Sequence, residues 1–511
     1  MSASKISAIE QIKGKLSGSI SKKQPAATFK DKSAFSFDML YQLSCMSVIA
    51  AAGVPRKLIF EYASKLPCSA AEYFKKVDLT CERLKYDYAK GCRLVGEITK
   101  EEKMRELLLR FSSSLLSGEP EADFLVRETK ALAEEYDNEF GRKLEGLKLW
   151  TDAYVSLILS AVLVIIMGIV STMIWKVELA FLFGLVMISA CTAATGVWLI
   201  YLMSPKEKIV LQKPGSKEQK LASGLLKFTV LFSIIAICIV VVTKVSPGWA
   251  FMAIAALTFP IGWIMMKDDA KVSKRDSEIG TFLASLGGIC GAIGTTVKEA
   301  LGRIDMESIN CLRADVKRLY VRLKSGILPK LCWQTFVQET GSELANRCIG
   351  MFYDSIDLGG DAERVGYHTS IFANKIAGLR AKRRTVAGPF RWLCITMHSA
   401  VTALLIFVTE VITIFGNMVG QAESAMPDMK GGAPSMSAFT SFNIEGLAIL
   451  STLVVPLVII FTVANALAPS IAEGGSWYKI LFNLSIVSAI SGLGLLVLPE
   501  IAAALFNSVK L

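Results

Sequence analysis

The sequence predicts an all-α polytopic membrane protein with about seven transmembrane helices and two homologous cytoplasmic helix-bundle domains. Three observations lead there. The 511 residues are 52% hydrophobic and the mean hydropathy is +0.47, too apolar for an ordinary soluble domain. The apolar residues gather in long runs of the length that crosses a bilayer as a helix, roughly 20 residues. Two polar regions, one before the runs and one among them, share a helical period and a common spacing of glycines.

Residues 1–31 are polar and rich in Ser and Lys, without an apolar stretch that would make a cleavable signal; they are expected to form a flexible basic tail. Residues 32–150 read as the first helical domain, because Leu125, Leu132, Tyr136, Phe140, Leu144 and Leu147 recur at helical spacing. Residues 151–266 hold four spans, Tyr154–Ile174, Leu179–Tyr201, Leu225–Val242 and the short Trp249–Met266, with a short basic loop after the second. Residues 267–391 read as the second helical domain, where Leu312, Val316, Leu319, Tyr320 and Leu323 carry the helical period. Residues 392–511 hold three more spans, Trp392–Phe415, Leu447–Leu467 and Ile480–Leu498. Pro260 and Pro456 fall inside spans, where neighbouring helices tolerate a kink.

Lys and Arg set the orientation. Lys206, Lys208, Lys213, Lys217 and Lys220 follow the second span, and 267–391 is thick with both residues. The links expected on the other side hold only Lys176, Lys244 and Lys430. This places the N-terminus and both helical domains in the cytoplasm and the C-terminus outside. The net charge of +11 can reflect nucleic acid, anionic lipid, an acidic partner or membrane topology; no nucleic-acid partner is expected.

The two polar regions read as a repeat. Gly53 in "AAAGVPRKLIF" matches Gly294 in "GAIGTTVKEAL", and Gly118-Glu119 matches Gly360-Asp361, preceded by Gly359. Trp150 and Trp392, at the same offset of 242 as Gly118 and Gly360 (392 − 150 and 360 − 118), stand where each region enters the membrane. Such a corner is where a helix ends on a left-handed glycine and an acidic residue opens the next helix. It is also where the glycines would let another chain's backbone approach. A third reading, metal binding by Asp354, Asp357 and Asp361, matches no calcium loop.

Duplicated helical cytoplasmic domains with these corners, each flowing into a span, resemble the type II secretion system F family. "AGVPRKLIFEYASKL" and "SGEPEADFL" carry the likeness in the first copy, "IGTTVKEALGRI" and "LGGDAERVG" in the second. It covers about 36–175 and 277–416. Four spans between the copies are most similar to the archaeal platform proteins of the archaellum and of adhesion pili. The resemblance implies a non-enzymatic membrane platform. It would contact a cytoplasmic hexameric secretion ATPase and pilin- or archaellin-like filament subunits. The chain is further expected to associate as a homo-oligomer, a dimer, in the cell membrane. A secondary transporter is the alternative, but this repeat is parallel and includes the soluble domain.

No catalytic group, metal site or cofactor is expected. His368 and His398 are the only histidines, and the eleven cysteines lack CxxC spacing; Cys191, Cys238 and Cys394 sit in apolar runs and read as buried. "SLGGICGAIGTT" lacks the Gly-Lys of a phosphate loop, so Gly287, Gly288, Gly291 and Gly294 suit close helix packing. Arg380, Lys382, Arg383 and Arg384 form a basic run beside the fifth span, read as a lipid anchor or as an ATPase-docking patch. Arg313, Lys317, Arg318 and Arg322 extend the docking candidates on a helix whose other reading is a solvated face. Glu410 lies inside the fifth span, either near the outer headgroups or against a filament subunit.

Overall fold

The computed structural model describes residues 32–174, 179–207, 209–211, 216–243, 245–425 and 444–509. The tail 1–31, Lys176, Lys208, Lys213, Lys244 and Lys430 lie outside them. Among the described residues there is no strand, only an isolated bridge pairing Val210 with Ser342. The protein is an all-α polytopic membrane protein: among the described residues seven helices are long and apolar enough to cross a membrane.

The chain begins with α1 (Lys32–Ala51), α2 (Arg56–Lys65), α3 (Ala71–Leu84), α4 (Tyr88–Ile98) and α5 (Glu102–Ser117). A rod of 54 residues, α6 (Glu121–Ile174), then runs from this first bundle into the apolar layer. α7 (Leu179–Met203) and α8 (Lys217–Thr243) are spans, and α9 (Gly248–Ile293) is a second rod of 46 residues, running back out. The second bundle follows with α10 (Val297–Leu301), α11 (Arg313–Lys324), α12 (Pro329–Thr340) and α13 (Glu343–Asp357). A rod of 64 residues, α14 (Ala362–Ala425), leads back in, and α15 (Ile444–Glu473) and α16 (Ile480–Val509) complete the membrane part. The fourth span and the seventh are thus parts of α9 and α16. Residues 150, 266 and 391, expected as domain edges, fall inside continuous helices.

The helices of the two bundles succeed one another in register. Gly53 and Gly294, Glu102 and Glu343, Gly118 and Gly359, and Glu121 and Ala362 are each 241 residues apart (294 − 53, 343 − 102, 359 − 118, 362 − 121). This corrects the offset of 242. The left-handed residue at the second corner is Gly359, with φ +89°, the counterpart of Gly118 at +79°. Gly360 has no positive φ and is small for another reason: a Cβ there would lie 2.7 Å from Ala52 Cβ and from its own Ser355 carbonyl.

Apolar residues at helical spacing fill both bundles, and Leu125, Leu132, Tyr136, Phe140, Leu144 and Leu147 are all buried, as are Leu312, Val316, Leu319 and Leu323. In the first bundle Tyr88, Phe60, Phe111 and Phe124 stack in sequence at 4.3, 5.5 and 4.9 Å between centroids. Where α9 crosses α14, a Cβ on Gly287 would strike the Ala362 carbonyl and one on Gly291 the Glu363 side chain. Gly288 faces open space and Gly294 caps α9, so only part of the glycine run serves helix packing. Within the apolar layer Gly248 and Gly492 bring the backbones of α9 and α16 together, the small-residue contact that membrane helices use. Cys394 is buried, but Cys191 and Cys238 are exposed on α7 and α8, on surfaces an apolar solvent would cover.

Candidate functional site

The densest polar construction lies where the rods leave the apolar layer. On α14, Arg380, Arg383, Arg384 and Arg391 follow one another at intervals that keep them near one side of the helix. On α9, Asp269 and Asp276 are two turns apart. The connection after α7 brings Ser204, Pro205 and Glu207, and the turn between α15 and α16 brings Glu473, Gly474, Gly475 and Lys479. All four chain segments meet here.

Arg380 Nη1 donates to Asp276 Oδ2 at 2.6 Å, and its Nη2 to Glu207 Oε1 at 3.3 Å. Ser342 holds the other oxygen of Asp276. Burial opposes the charge of Arg380, but Glu207 and Asp276 beside it prevail and keep the guanidinium more basic than usual. Among the described residues, Arg383 has no carboxylate at ion-pair distance. It donates to the carbonyls of Ala472 at 2.9 Å, Pro205 at 2.8 Å and Ile471 at 3.0 Å, and to Ser204 Oγ. Burial pushes its pKa down to about 10, so it remains charged at neutral pH. Lys479 Nζ bridges Asp269 Oδ2 at 2.9 Å and Glu473 Oε2 at 3.0 Å; Arg391 also pairs with Glu473, and Arg384 reaches Asp269 at 3.6 Å.

The turn is shaped to receive these groups. Gly474 and Gly475 have φ of +69° and +98°. A Cβ on the first would lie 2.7 Å from the Arg383 guanidinium, and one on the second would strike Asp269. Burying so many charges costs solvation, and a well-packed apolar core would be as stable. What the network supplies is a fixed geometry among α9, α14, the α7 connection and the α15–α16 turn.

This arrangement corrects the reading of the basic run as a surface patch. Arg380 is 5% exposed and Arg383 3%. Lys382 is exposed and pairs with Asp137 on α6 at 3.0 Å, and Arg384 is one-third exposed. Of the other docking candidates, Arg313 and Lys317 are exposed, whereas Arg318 pairs with Asp315 and Glu339, and Arg322 with Glu339. Glu410 is half-buried on α14. Asp354 accepts from Tyr62 Oη at 2.7 Å, and no group of three acidic, His or Cys side chains among the described residues could hold a metal. The carboxylates and the Gly-Gly turn escaped sequence reading. Two adjacent glycines after an acidic residue at a span's end were the available signal.

A second polar cluster lies inside the apolar layer. Asn465 on α15 accepts from Tyr154 Oη of α6 at 2.7 Å and donates to His398 Nδ1 of α14 at 3.1 Å. His398 Nε2 meets Ser491 Oγ of α16 at 2.8 Å. With Asn465 donating to Nδ1, the imidazole carries its proton on Nε2. One hub thus joins four spans.

The chain is similar to two proteins named Flagella accessory protein J. The one from Methanocaldococcus jannaschii is 25% identical over 344 residues, 64% of this chain and 60% of the relative's length. The one from Methanococcus voltae is 21% identical over 458 residues, 86% of this chain and 79% of the relative. No protein-family model matches the chain, and no solved structure matches it.

Proposed function

We propose that this chain is a non-enzymatic membrane platform subunit of an archaeal filament-assembly machine, of the archaellum or a related type IV filament. Both relatives are named as flagella accessory proteins, and the likeness to the Methanococcus voltae protein extends over 86% of this chain. In this reading the two soluble bundles are a homologous pair in the cytoplasm, the C-terminus is outside, and the chain self-associates. A hexameric secretion ATPase works on the bundles from below, and pilin-like subunits are handed on within the bilayer.

The observation that carries the mechanism is the continuity of the rods. α6, α9 and α14 would be about 80, 70 and 95 Å long at 1.5 Å per residue. Each passes from bundle to apolar layer without a break, and the ionic clamp fixes α9 and α14 to the α15–α16 turn. A displacement of the bundles would therefore reach the spans as a rigid shift rather than be absorbed in a linker. Tagged chain purified from the membranes of its own organism tests the reading. A secretion ATPase should copurify with it; its consistent absence under mild, low-salt conditions would contradict the platform role.

A further inference from the structure

The span α8 has little protein around it. Among the described helices it packs substantially on α9 alone. Ala222 lies against Ile261 and Met265, Gln219 donates to Asp268 Oδ2 at 3.0 Å, and Lys271 holds Glu218 at 3.1 Å. The opposite side of the helix faces the apolar solvent, and Phe228, Leu231 and Ile234 are each more than half exposed there.

Lys227 stands on that open side. It is the only Lys or Arg within the seven spans that the sequence delimits. Gln219 is level with Asp268, where the rods leave the apolar layer, and Lys227 is eight residues further in (227 − 219), about 12 Å along the helix. A charge at that depth is costly unless it reaches the headgroups. α8 enters the layer N-terminus first, and side chains on a helix tilt toward its N-terminus, so Lys227 leans back toward the headgroups on the side of the bundles.

Its path crosses a notch. One turn before Lys227 are Ser223 and Gly224, both exposed. Nothing lies within 4 Å of where a Cβ on Gly224 would stand, and Ser223 Oγ is turned onto the Lys220 carbonyl at 2.8 Å, so neither fills the space. Lys220 borders the notch from the other end. It is exposed, seven residues from Lys227 (227 − 220), hence on nearly the same face and about 10 Å away. Among the described residues no carboxylate pairs with either lysine, and the one acid of α8, Glu218, is taken by Lys271. The contrast is Lys479, just before α16, whose charge is answered within the protein by Asp269 and Glu473. The charges of Lys220 and Lys227 are left for something outside it.

We propose that an anionic phospholipid binds here, its phosphate seated against Ser223 and Gly224 between Lys227 and Lys220 and its acyl chains along Leu231, Ile234 and Cys238. The bilayer brings this ligand to the site, since the open side of α8 is in contact with lipid along its length. The lipid supplies the second neighbour that α8 lacks and ties it to the leaflet on the side of the bundles. This inference goes beyond the platform reading and needs neither the ATPase nor a filament.

The test uses purified full-length chain. In nanodiscs, a phosphatidylglycerol with a photoreactive group near its phosphate should label residues 216–231 of the wild-type chain ahead of every other span end, read by mass spectrometry. Labelling spread evenly over the basic span ends would overturn the proposal, because general attraction to lysine and arginine gives that pattern. In neutral detergent, native mass spectrometry should show one retained phosphatidylglycerol that phosphatidylcholine does not replace. Lys220→Gln with Lys227→Gln should weaken its retention about thirtyfold, the effect of two lysines at an anionic membrane surface. Lys148→Gln with Lys267→Gln removes as much charge from exposed positions near the same interface and should leave retention unchanged. Equal losses in the two pairs would overturn the proposal. Gly224→Leu keeps both charges and fills the notch, so it should weaken retention too; wild-type retention in that variant would also overturn it. Lys220, Gly224 and Lys227 lie away from the packed side of α8, so the unfolding midpoints of their variants in phosphatidylcholine should match wild type. For any variant in which they do not, the labelling of the wild-type chain decides. The readout is lipid bound to purified protein, so its failure leaves the filament role standing.

Discussion

Arg380 and Lys382 are two residues apart in one basic run and differ entirely in surroundings. Removing the Arg380 charge leaves Asp276 and Glu207 buried beside a neutral group. Arg380→Gln is expected to cost about 3–5 kcal/mol. Lys382→Gln loses one partly exposed pair, worth no more than about 1 kcal/mol. Thermal unfolding of the purified chain should separate the two clearly, and equal midpoints would remove the clamp from the account. At the second corner, Gly360→Val would push the Ala52 contact apart, an overpacking cost of about 1–3 kcal/mol. Asp361→Ala removes a cap on the Glu363 amide and an exposed pair with Arg364, about 0.5–2 kcal/mol in all. Hydrogen exchange over 51–62 should accelerate in the Gly360 variant and stay unchanged in the Asp361 variant. A sequence shows that a run is basic; which of its members are buried depends on partners 104 and 173 residues away, so Arg380 and Arg383 could not be told from Lys382 by reading.

At the scale of helices, α6 and α14 are tied by Asp137, which takes Lys375 at 2.7 Å and Lys382 at 3.0 Å. The hydrogen bonds from Lys375 and then Lys382 hold the Asp137 carboxyl below its ordinary pKa. A carboxylate depressed in the folded state stabilises at pH above its unfolded value and loses that stabilisation as the pH falls through its folded one. The difference in unfolding midpoint between wild type and Asp137→Asn should be present at neutral pH, begin to shrink near about pH 4 and vanish only below the folded-state pKa, which lies lower still. A difference that persists in acid would mean that Asp137 acts through something other than its charge. Rod continuity can be interrupted directly. Two glycines inserted after Trp150 in α6 should leave membrane insertion intact and abolish filament assembly, which complementation of a deletion strain would read. Full filament yield would show that α6 does not carry the motion. The helices themselves were legible, since 3.6-residue periodicity and apolar runs need only local sequence. Their continuity was not: Gly388-Pro389, just before the fifth span, reads as a break, yet α14 runs through it, and nothing in the sequence of α6 or α9 marks where polar helix becomes span.

For the whole molecule, seven apolar helices and two bundles in a common register follow from patterns that span the chain. The offset was misread by one residue because two adjacent glycines offered two alignments; the φ of Gly359 and the helix starts, in step with the 241-residue spacing of Gly53 and Gly294, choose between them. The ionic clamp joins four segments distant in sequence and had no signature beyond an acidic residue followed by two glycines. The proposed sidedness predicts that a membrane-impermeant thiol reagent on intact cells labels Val245→Cys and spares Ser308→Cys; the opposite pattern would invert the topology. The most direct test of the central claim is a count of surface filaments by electron microscopy in a strain that lacks this chain but still makes the ATPase and the filament subunits. The account predicts no filaments there and their return with the wild-type chain, and wild-type numbers of filaments without the chain would contradict it.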